Sequence, residues 1–150
     1  IEDVTPQEWR KLIEVNLTGT FFLSQAALPA LLETTGAIVN MASLSGIRGT
    51  PYNAAYSASK GGVVAMTLPA ARDLSVVGIR VCTIAPGLMD TPLLGLLPAE
   101  ATKALGDSVV YPKRLGQPDE FARLAMAIVD NDYLNGEVIR IDGALRMAPR

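Results

Sequence analysis

Three short apolar runs, separated by long helical stretches, constrain the fold of this chain more than any other feature. The runs are 36–43 (GAIVNMAS), 79–85 (IRVCTIA) and 136–143 (GEVIRIDG). The first is apolar on both faces, which is typical of a strand covered on both sides. Helical connections of this length between strands predict right-handed crossovers and a parallel sheet. The order helix–strand, repeated three times, therefore predicts an α/β fold.

The first helix is predicted to begin at a capping box. Thr5 would be the N-cap, Pro6 the first helical residue and Glu8 the third. Apolar residues then recur at helical spacing. Asn16 and Gly19 interrupt this run. Both are poor helix formers, so we expect local strain or a functional reason at this point.

Two further helices connect the strands. Residues 54–77 have a helical pattern that ends at Gly78, a residue suited to a left-handed C′ position. Pro69 inside this stretch predicts a kink. Residues 117–130 predict a helix with Pro118 and two acidic residues in its first turn, where the helix dipole favours negative charge.

The loops after the strands are the expected place for a site, because parallel sheets bind ligands outside the carboxyl ends of their strands. These loops are 40–46 (NMASLSG), 83–91 (TIAPGLMDT) and 141–147 (IDGALRM). We expect them to line one rim of the sheet. The stretch 44–53 predicts a turn-rich loop, and 86–98 predicts an apolar loop followed by a short helix near "PAEATKAL".

Composition excludes several function classes. The 150 residues are 49% hydrophobic and 19% charged, which is typical of one globular domain, and a net charge of −2 offers no basic surface to nucleic acid. No apolar run approaches the ~20 residues of a membrane span, so we expect no membrane partner. The one cysteine, Cys82, rules out a disulfide within the chain, and we expect it to be buried and inert. The chain has no histidine, which excludes Ser-His-Asp and Cys-His catalysis and most catalytic zinc sites.

The stretch YSASK, residues 56–60, has two interpretations that differ in the partner of Lys60. Counted from Ser57 it has the S-x-x-K spacing of penicillin-binding proteins, but their companion tripeptides S-D-N and K-T-G do not occur here. Counted from Tyr56 it is Y-x-x-x-K, with both side chains on one helix face.

The Y-x-x-x-K spacing suits proton transfer by tyrosine. Free tyrosine titrates near pH ~10. A lysine charge ~4 Å away, at an effective dielectric of ~20, is worth about 4 kcal/mol toward the phenolate.

The tyrosine interpretation finds companion residues along the chain. Asn16 lies in the first helix within "VNLTGTFF", and Ser43 follows the first strand, thirteen residues before Tyr56. Pro86, Gly87 and Thr91 follow the second strand. With these residues in this order and spacing, the chain resembles the C-terminal half of a short-chain dehydrogenase/reductase over essentially all 150 residues. The resemblance implies the C-terminal half of a doubly wound, Rossmann-type parallel-sheet fold.

The resemblance implies a role for each of these residues. Tyr56 would be the general acid/base, and Lys60 would support it and bind the nicotinamide ribose. Ser43 would hydrogen-bond the substrate oxygen, and Asn16 would hold a water in a proton relay. The implied cofactor contacts are Tyr56, Lys60, Pro86, Gly87, Met89 and Thr91, and the implied substrate contacts are Ser43, Asn53 and Tyr56. No metal is implied.

Longer stretches resemble the type II 3-hydroxyacyl-CoA dehydrogenases, which also oxidise 2-methyl-3-hydroxybutyryl-CoA and some hydroxysteroids. These stretches include "AAYSASKGG", "MTLPAARDL", "GIRVCTIAPGL", "RLGQPDEFA" and "LNGEVIRIDGALRM". The resemblance implies an NAD-dependent oxidoreductase of fatty acid metabolism that acts on an acyl-CoA. It also implies a homotetramer formed through helices 6–33 and 54–77, in the cytoplasm or in mitochondria. An NADPH-dependent 3-oxoacyl carrier-protein reductase, a hydroxysteroid dehydrogenase and an inactive fragment that keeps only the oligomerisation surface remain as alternatives.

The family's glycine-rich turn is missing from the chain. Neither T-G-x-x-x-G-x-G nor G-x-G-x-x-G occurs, so no glycine turn is present to bind a pyrophosphate. The family residue that separates NAD from NADP lies in that same N-terminal half. We therefore expect residues 1–150 to form a single partial domain, the catalytic half without the N-terminal cofactor-binding half.

Overall fold

The computed structural model describes residues 3–51 and 53–146. Its helices are α1 (Pro6–Ile13), α2 (Gly19–Thr34), α3 (Ser45–Arg48), α4 (Ala54–Ser75), α5 (Ala99–Ser108) and α6 (Pro118–Val129). Its strands are β1 (Ala37–Met41), β2 (Arg80–Pro86) and β3 (Val138–Ile141). A π-helical segment, Glu14–Thr18, joins α1 to α2, and a short 3₁₀ turn, Leu94–Leu96, precedes α5.

The three strands form one parallel sheet in the order β1-β2-β3. Ala37 of β1 lies opposite Arg80 of β2, and Thr83 of β2 lies opposite Val138 of β3. The predicted α/β fold with a parallel sheet is therefore confirmed. β2 is the central strand and contains a run of five buried residues, as its continuous apolar sequence predicts.

Helices cover the sheet on both faces. On one face Val63 of α4 packs with Ala42 and Ala85, and Leu17 packs against this cluster from the π-helical segment. On the other face a cluster around Cys82 and Ile84 contains Ile128 of α6. The arrangement is doubly wound, and Cys82 is a buried free thiol, as its sequence context predicts.

β1 is less buried than its sequence predicts. The predicted strand 36–43 shortens to Ala37–Met41, where Asn40 is buried and Met41 is 54% exposed. Within the described residues β1 pairs with β2 and has no partner on its other side. A sequence that is apolar on both faces suits a central strand, whereas this one lies at the edge of the sheet.

The first helix begins as predicted and changes its winding where the apolar pattern breaks. Glu8 N donates to Thr5 Oγ1 at 3.2 Å, and Thr5 N donates to Glu8 Oε2 at 2.9 Å, which completes the capping box. The π-helical segment then contains Asn16 and ends just before Gly19. Single π turns inside α-helices are frequent at functional sites. The interruption predicted at these residues is therefore a local widening of a continuous helix.

This continuous helix, Pro6–Thr34, is long and apolar enough to cross a membrane when length and composition alone are considered. The sequence prediction that no run approaches such a span is wrong by that measure, because the helix continues through the polar residues that interrupt the apolar run. Core helices of soluble proteins and N-terminal signal sequences meet the same measure. In this fold, Leu17 of the helix packs against the core cluster around Val63.

The segments between the strands differ from prediction in two places. The predicted loop 44–53 contains the one-turn helix α3, and the short helix expected near 98–105 extends to Ser108.

The helix α4 continues past Pro69 and ends at Ser75, and Gly78 adopts the left-handed conformation at φ 75°. The structure thus confirms the predicted role of Gly78.

The N-terminus of α6 carries a charge cluster around Glu120. Arg114 donates to both carboxylate oxygens of Glu120 at 2.8 and 2.9 Å, and Gln117 N donates to Glu120 Oε2 at 2.7 Å. Chiefly through the Arg114 hydrogen bonds, and also through the Gln117 amide, these contacts lower the pKa of Glu120 from 4.5 to about 2. The carboxylate thus joins the segment before α6 to the first turn of this helix.

We expect Glu120→Gln to lower the melting temperature at pH 7, and we expect the difference from the parent to shrink as the pH falls from about 4.5 to about 2. The folded pKa is below the unfolded one, so the stabilisation is complete above the unfolded pKa and is lost as the pH falls through the folded value. Thermal melts across this range measure it. Asp119→Asn is the matched control. A gap that stays constant with pH would contradict the charge interaction.

Candidate active site

Lys60 lies inside the molecule at the carboxyl end of β1. Its residue is 8% exposed, and its Nζ donates to the carbonyl oxygen of Met41 at 2.9 Å. Burial lowers the pKa of Lys60, because the charged ammonium loses hydration. An ammonium carries three donors, and the Met41 carbonyl takes one of them. In the described part of the chain the other two N–H groups have no protein acceptor, so they can bind hydroxyl groups of a ligand.

Tyr56 lies one helical turn before Lys60 and borders a groove between α1 and the start of α4. The groove has a volume of about 490 Å³ and is open to solvent. Asn16 and Asn53 line it together with Tyr56. Asn53 directly precedes α4, and its Nδ2 donates to the carbonyl oxygen of Pro51 at 3.4 Å. Three of the predicted site residues thus border one space.

Ser43 follows β1 by two residues, as predicted. Its Oγ accepts a hydrogen bond from Ser45 N at 3.2 Å, at the start of α3. The next amide, Leu44 N, donates to the carbonyl oxygen of Pro86 at 2.9 Å. The segment that carries Ser43 is therefore bonded to the end of β2.

Pro86 and Gly87 connect the end of β2 to the end of β3. Gly87 N donates to the carbonyl oxygen of Ile141 at 2.9 Å. A Cβ atom at Gly87 would lie 2.9 Å from the Cα atom of Asp142, which is too close for a side chain. Glycine is therefore required here by the neighbouring strand end. The three strand ends form one bonded rim, as the sequence predicts.

Met89 and Thr91 lie farther along the segment after β2. Met89 pairs with Gly116 and lines a second cleft of about 130 Å³. The carbonyl oxygen of Thr91 accepts from the amides that open the 3₁₀ turn. Within residues 3–51 and 53–146, no hydrogen bond joins either residue to Tyr56 or Lys60. The structure thus separates these two residues from the groove that Tyr56 borders.

Close packing around Lys60 is a feature that the sequence analysis missed. A Cβ atom at Gly46 of α3 would lie 2.6 Å from the carbonyl carbon of Lys60, and one at Gly62 would lie 2.6 Å from Leu17 Cδ2. Two elements can approach α4 closely because these positions have no side chain. The sequence signal was the run of small residues around the lysine, S-K-G-G (59–62).

Ser59 is a second feature that the sequence analysis missed. It is completely buried, its Oγ donates to the carbonyl oxygen of Tyr56 at 2.8 Å, and it accepts from Asn16 Nδ2 at 3.1 Å. The amide of Asn16 therefore has a polar partner inside an otherwise apolar packing region. This contact accounts for a polar residue at that position of the first helix.

Comparison with known proteins places these residues in a described family. A family model described as enoyl-(acyl carrier protein) reductase matches residues 1–145. The human 3-hydroxyacyl-CoA dehydrogenase type-2 is 48% identical over 97% of this chain and 58% of its own length. The Drosophila melanogaster protein of the same name is 51% identical over 95% of this chain and 59% of its own length.

A solved structure and a more distant relative extend the comparison. The crystal structure of 3-hydroxyacyl-CoA dehydrogenase type-2 from Mycobacterium avium matches with a TM-score of 0.92 at 41% identity, covering 98% of this chain and 60% of that one. The 3-oxoacyl-[acyl-carrier-protein] reductase of Thermotoga maritima is 38% identical over 93% of this chain and 57% of its own length. This chain therefore spans less than two thirds of the length of these relatives.

Proposed function

This chain belongs to the short-chain dehydrogenase/reductase family, and on that premise we propose that it carries the catalytic residues of an NAD-dependent 3-hydroxyacyl-CoA dehydrogenase. The observation that carries the proposal is the buried ammonium of Lys60, one helical turn from Tyr56, with two donors that no acceptor takes in the part of the chain that the structure describes. The relatives named 3-hydroxyacyl-CoA dehydrogenase type-2, at 48% and 51% identity, support an acyl-CoA substrate.

In this proposal Tyr56 moves the proton of the reacting hydroxyl. A secondary alcohol must lose its proton as it becomes a ketone, and the reverse reaction must return it. Tyr56 borders an open groove one helical turn before Lys60, where its hydroxyl can exchange that proton with the substrate. Ser43 donates a hydrogen bond to the substrate oxygen and holds it near the phenol. Asn16, which borders the same groove, would hold a water through which Tyr56 passes the proton to solvent in oxidation and regains one in reduction.

The donors of Lys60 fit the ribose of a nicotinamide cofactor. Two of its N–H groups have no acceptor among the described residues, and at a position 8% exposed they suit the two hydroxyls of a ribose. The cofactor, when bound, supplies or accepts the hydride. Pro86, Gly87, Met89 and Thr91 would contact its nicotinamide end. We propose NAD rather than NADP from the resemblance to the type II enzymes.

We also propose that the protein assembles as a homotetramer through the first helix and α4. Both elements expose large apolar side chains: Phe22 is 56% exposed, Leu23 is 73% exposed and Leu68 is 45% exposed. Large apolar side chains exposed on these two elements are typical of a protein–protein contact. Chemical crosslinking of the purified protein would measure the number of subunits.

A second candidate is an NADPH-dependent 3-oxoacyl carrier-protein reductase. The description of the matching family model and the relative from Thermotoga maritima favour it. Both reactions use the same acid/base residues and differ in the carrier of the acyl group and in the cofactor. The residues of the rim described above serve either reaction.

Steady-state assays distinguish these candidates. The protein as its gene encodes it would be tested with acetoacetyl-CoA and with acetoacetyl-acyl carrier protein, each with NADH and with NADPH. We expect the fastest reduction with acetoacetyl-CoA and NADH. A preference for the carrier-protein substrate with NADPH would support the second candidate. Absence of turnover with all four pairs would overturn both.

A further inference from the structure

Ser59 occupies a position that the proposed mechanism does not use. It lies on α4 between Tyr56 and Lys60, is completely buried, and has both hydrogen-bonding directions of its hydroxyl occupied. One bond reaches back to the carbonyl oxygen of Tyr56 on the same helix. The other comes from Asn16, 43 residues earlier in the chain. Among the hydrogen bonds of the described residues, this bond alone joins the side chain of Asn16 to α4.

The π-helical segment makes this contact specific. Asn16 lies in the middle of that segment, its Nδ2 donates to Ser59, and its carbonyl oxygen accepts from Thr20 Oγ1 at 2.7 Å. Leu17 packs where Gly62 leaves room for it. The segment is thus held against α4 by apolar packing and one side-chain hydrogen bond. The bond, unlike the packing, fixes which way the amide of Asn16 points.

We infer that Ser59 is a positioning residue that acts through Asn16, an inference that rests on the proposed function. With Nδ2 held by Ser59, Asn16 keeps its Oδ1 for a water in the groove that Tyr56 borders. Without the hydroxyl of Ser59, the amide can rotate and the water loses its fixed acceptor. The expected consequence is slower proton transfer with little change in the binding of substrate or cofactor.

Ser57 offers a matched control on the same helix. Its hydroxyl is buried and has no hydrogen-bond partner among the described residues. Ser57→Ala therefore removes a hydroxyl of the same type from the same helix without breaking a bond. We expect it to leave turnover unchanged and to keep or raise the melting temperature, because an unsatisfied buried hydroxyl destabilises the folded state.

The experiment is a double-mutant cycle on kcat in the protein as its gene encodes it. We expect Ser59→Ala to lower kcat about tenfold in the parent and less than about twofold in an Asn16→Ala background, because residues that act as a unit are not additive. KM for acetoacetyl-CoA and the Kd for NADH should change little. Melting temperatures report whether each variant folds, and Ser57→Ala is carried through every assay.

Each other result overturns the inference. An equal loss in both backgrounds, or failure of Ser59→Ala to fold, would assign Ser59 a purely structural role. A silent Ser59→Ala in an active parent would show that Asn16 needs no such support, while the proposed function would stand. A parent without dehydrogenase activity would overturn the proposed function, and this inference with it.

Discussion

Tyr56→Phe is expected to lower kcat at least about a hundredfold, since positioned acid/base groups contribute roughly 10²–10⁴-fold. The substitution removes one oxygen and keeps the ring that borders the groove between α1 and α4. The charge of Lys60 and its bond to Met41 stay in place. NADH binding should therefore change little, and the loss should appear in kcat.

The measurement is the steady-state rate with acetoacetyl-CoA and NADH, together with calorimetric titration of NADH. A variant that retains a tenth of the parent rate would rule out Tyr56 as the proton donor. Ser57→Ala again serves as the control, because Ser57 is the other candidate partner of Lys60. Loss of activity in Ser57→Ala with an active Tyr56→Phe would favour the S-x-x-K interpretation of this helix.

The parts of the fold that local patterns determine could be predicted from the sequence. The five central residues of β2, 81–85, are apolar except for Thr83 and are buried on both faces, so this strand could be assigned without knowledge of its neighbours. The capping box at Thr5 and the left-handed Gly78 depend on residues a few positions apart, and both are confirmed. β1 is less buried than its two apolar faces suggest, because burial depends on how many strands pair with it and in the described residues only β2 does. α3 was missed because a one-turn helix has too short a pattern to distinguish it from a turn.

The candidate site likewise has features that follow from local sequence and features that depend on distant parts of the chain. Tyr56 and Lys60 could be paired from the sequence, because an i, i+4 spacing on a helix is a local property. The acceptor for Lys60, the carbonyl oxygen of Met41, could not be predicted, because it depends on how α4 crosses β1. The bond from Asn16 to Ser59 spans 43 residues and depends on the π-helical segment. The interruption of the apolar pattern at Asn16 predicted a special role for this residue but did not identify its hydrogen-bond partner.

Gly46→Ala is expected to have the largest effect on stability, because α3 and α4 meet here backbone to backbone. An added Cβ would lie 2.6 Å from the carbonyl carbon of Lys60 and 2.7 Å from the amide nitrogen of Gly61. Neither atom can move without displacing α4. We expect a loss of about 3 kcal/mol in the free energy of unfolding, at the upper end of typical overpacking costs. Urea unfolding of the variant and the parent measures it.

The same substitution should lower turnover at least about tenfold, because a misplacement of about 1 Å can cost roughly a hundredfold. Gly46 N donates to the carbonyl oxygen of Ser43 at 3.0 Å, so pushing α3 away from α4 also moves Ser43 away from Tyr56 and Lys60.

Two other glycine-to-alanine variants serve as controls, because an added Cβ atom has more room at each of them. At Gly95 no atom lies within 4 Å of an added Cβ, so Gly95→Ala should be nearly neutral. At Gly61 the nearest atom is 3.2 Å away, so Gly61→Ala should be intermediate. A Gly46→Ala variant as stable as Gly95→Ala would show that α3 can shift without cost, and Ser43 would then not be held by this contact.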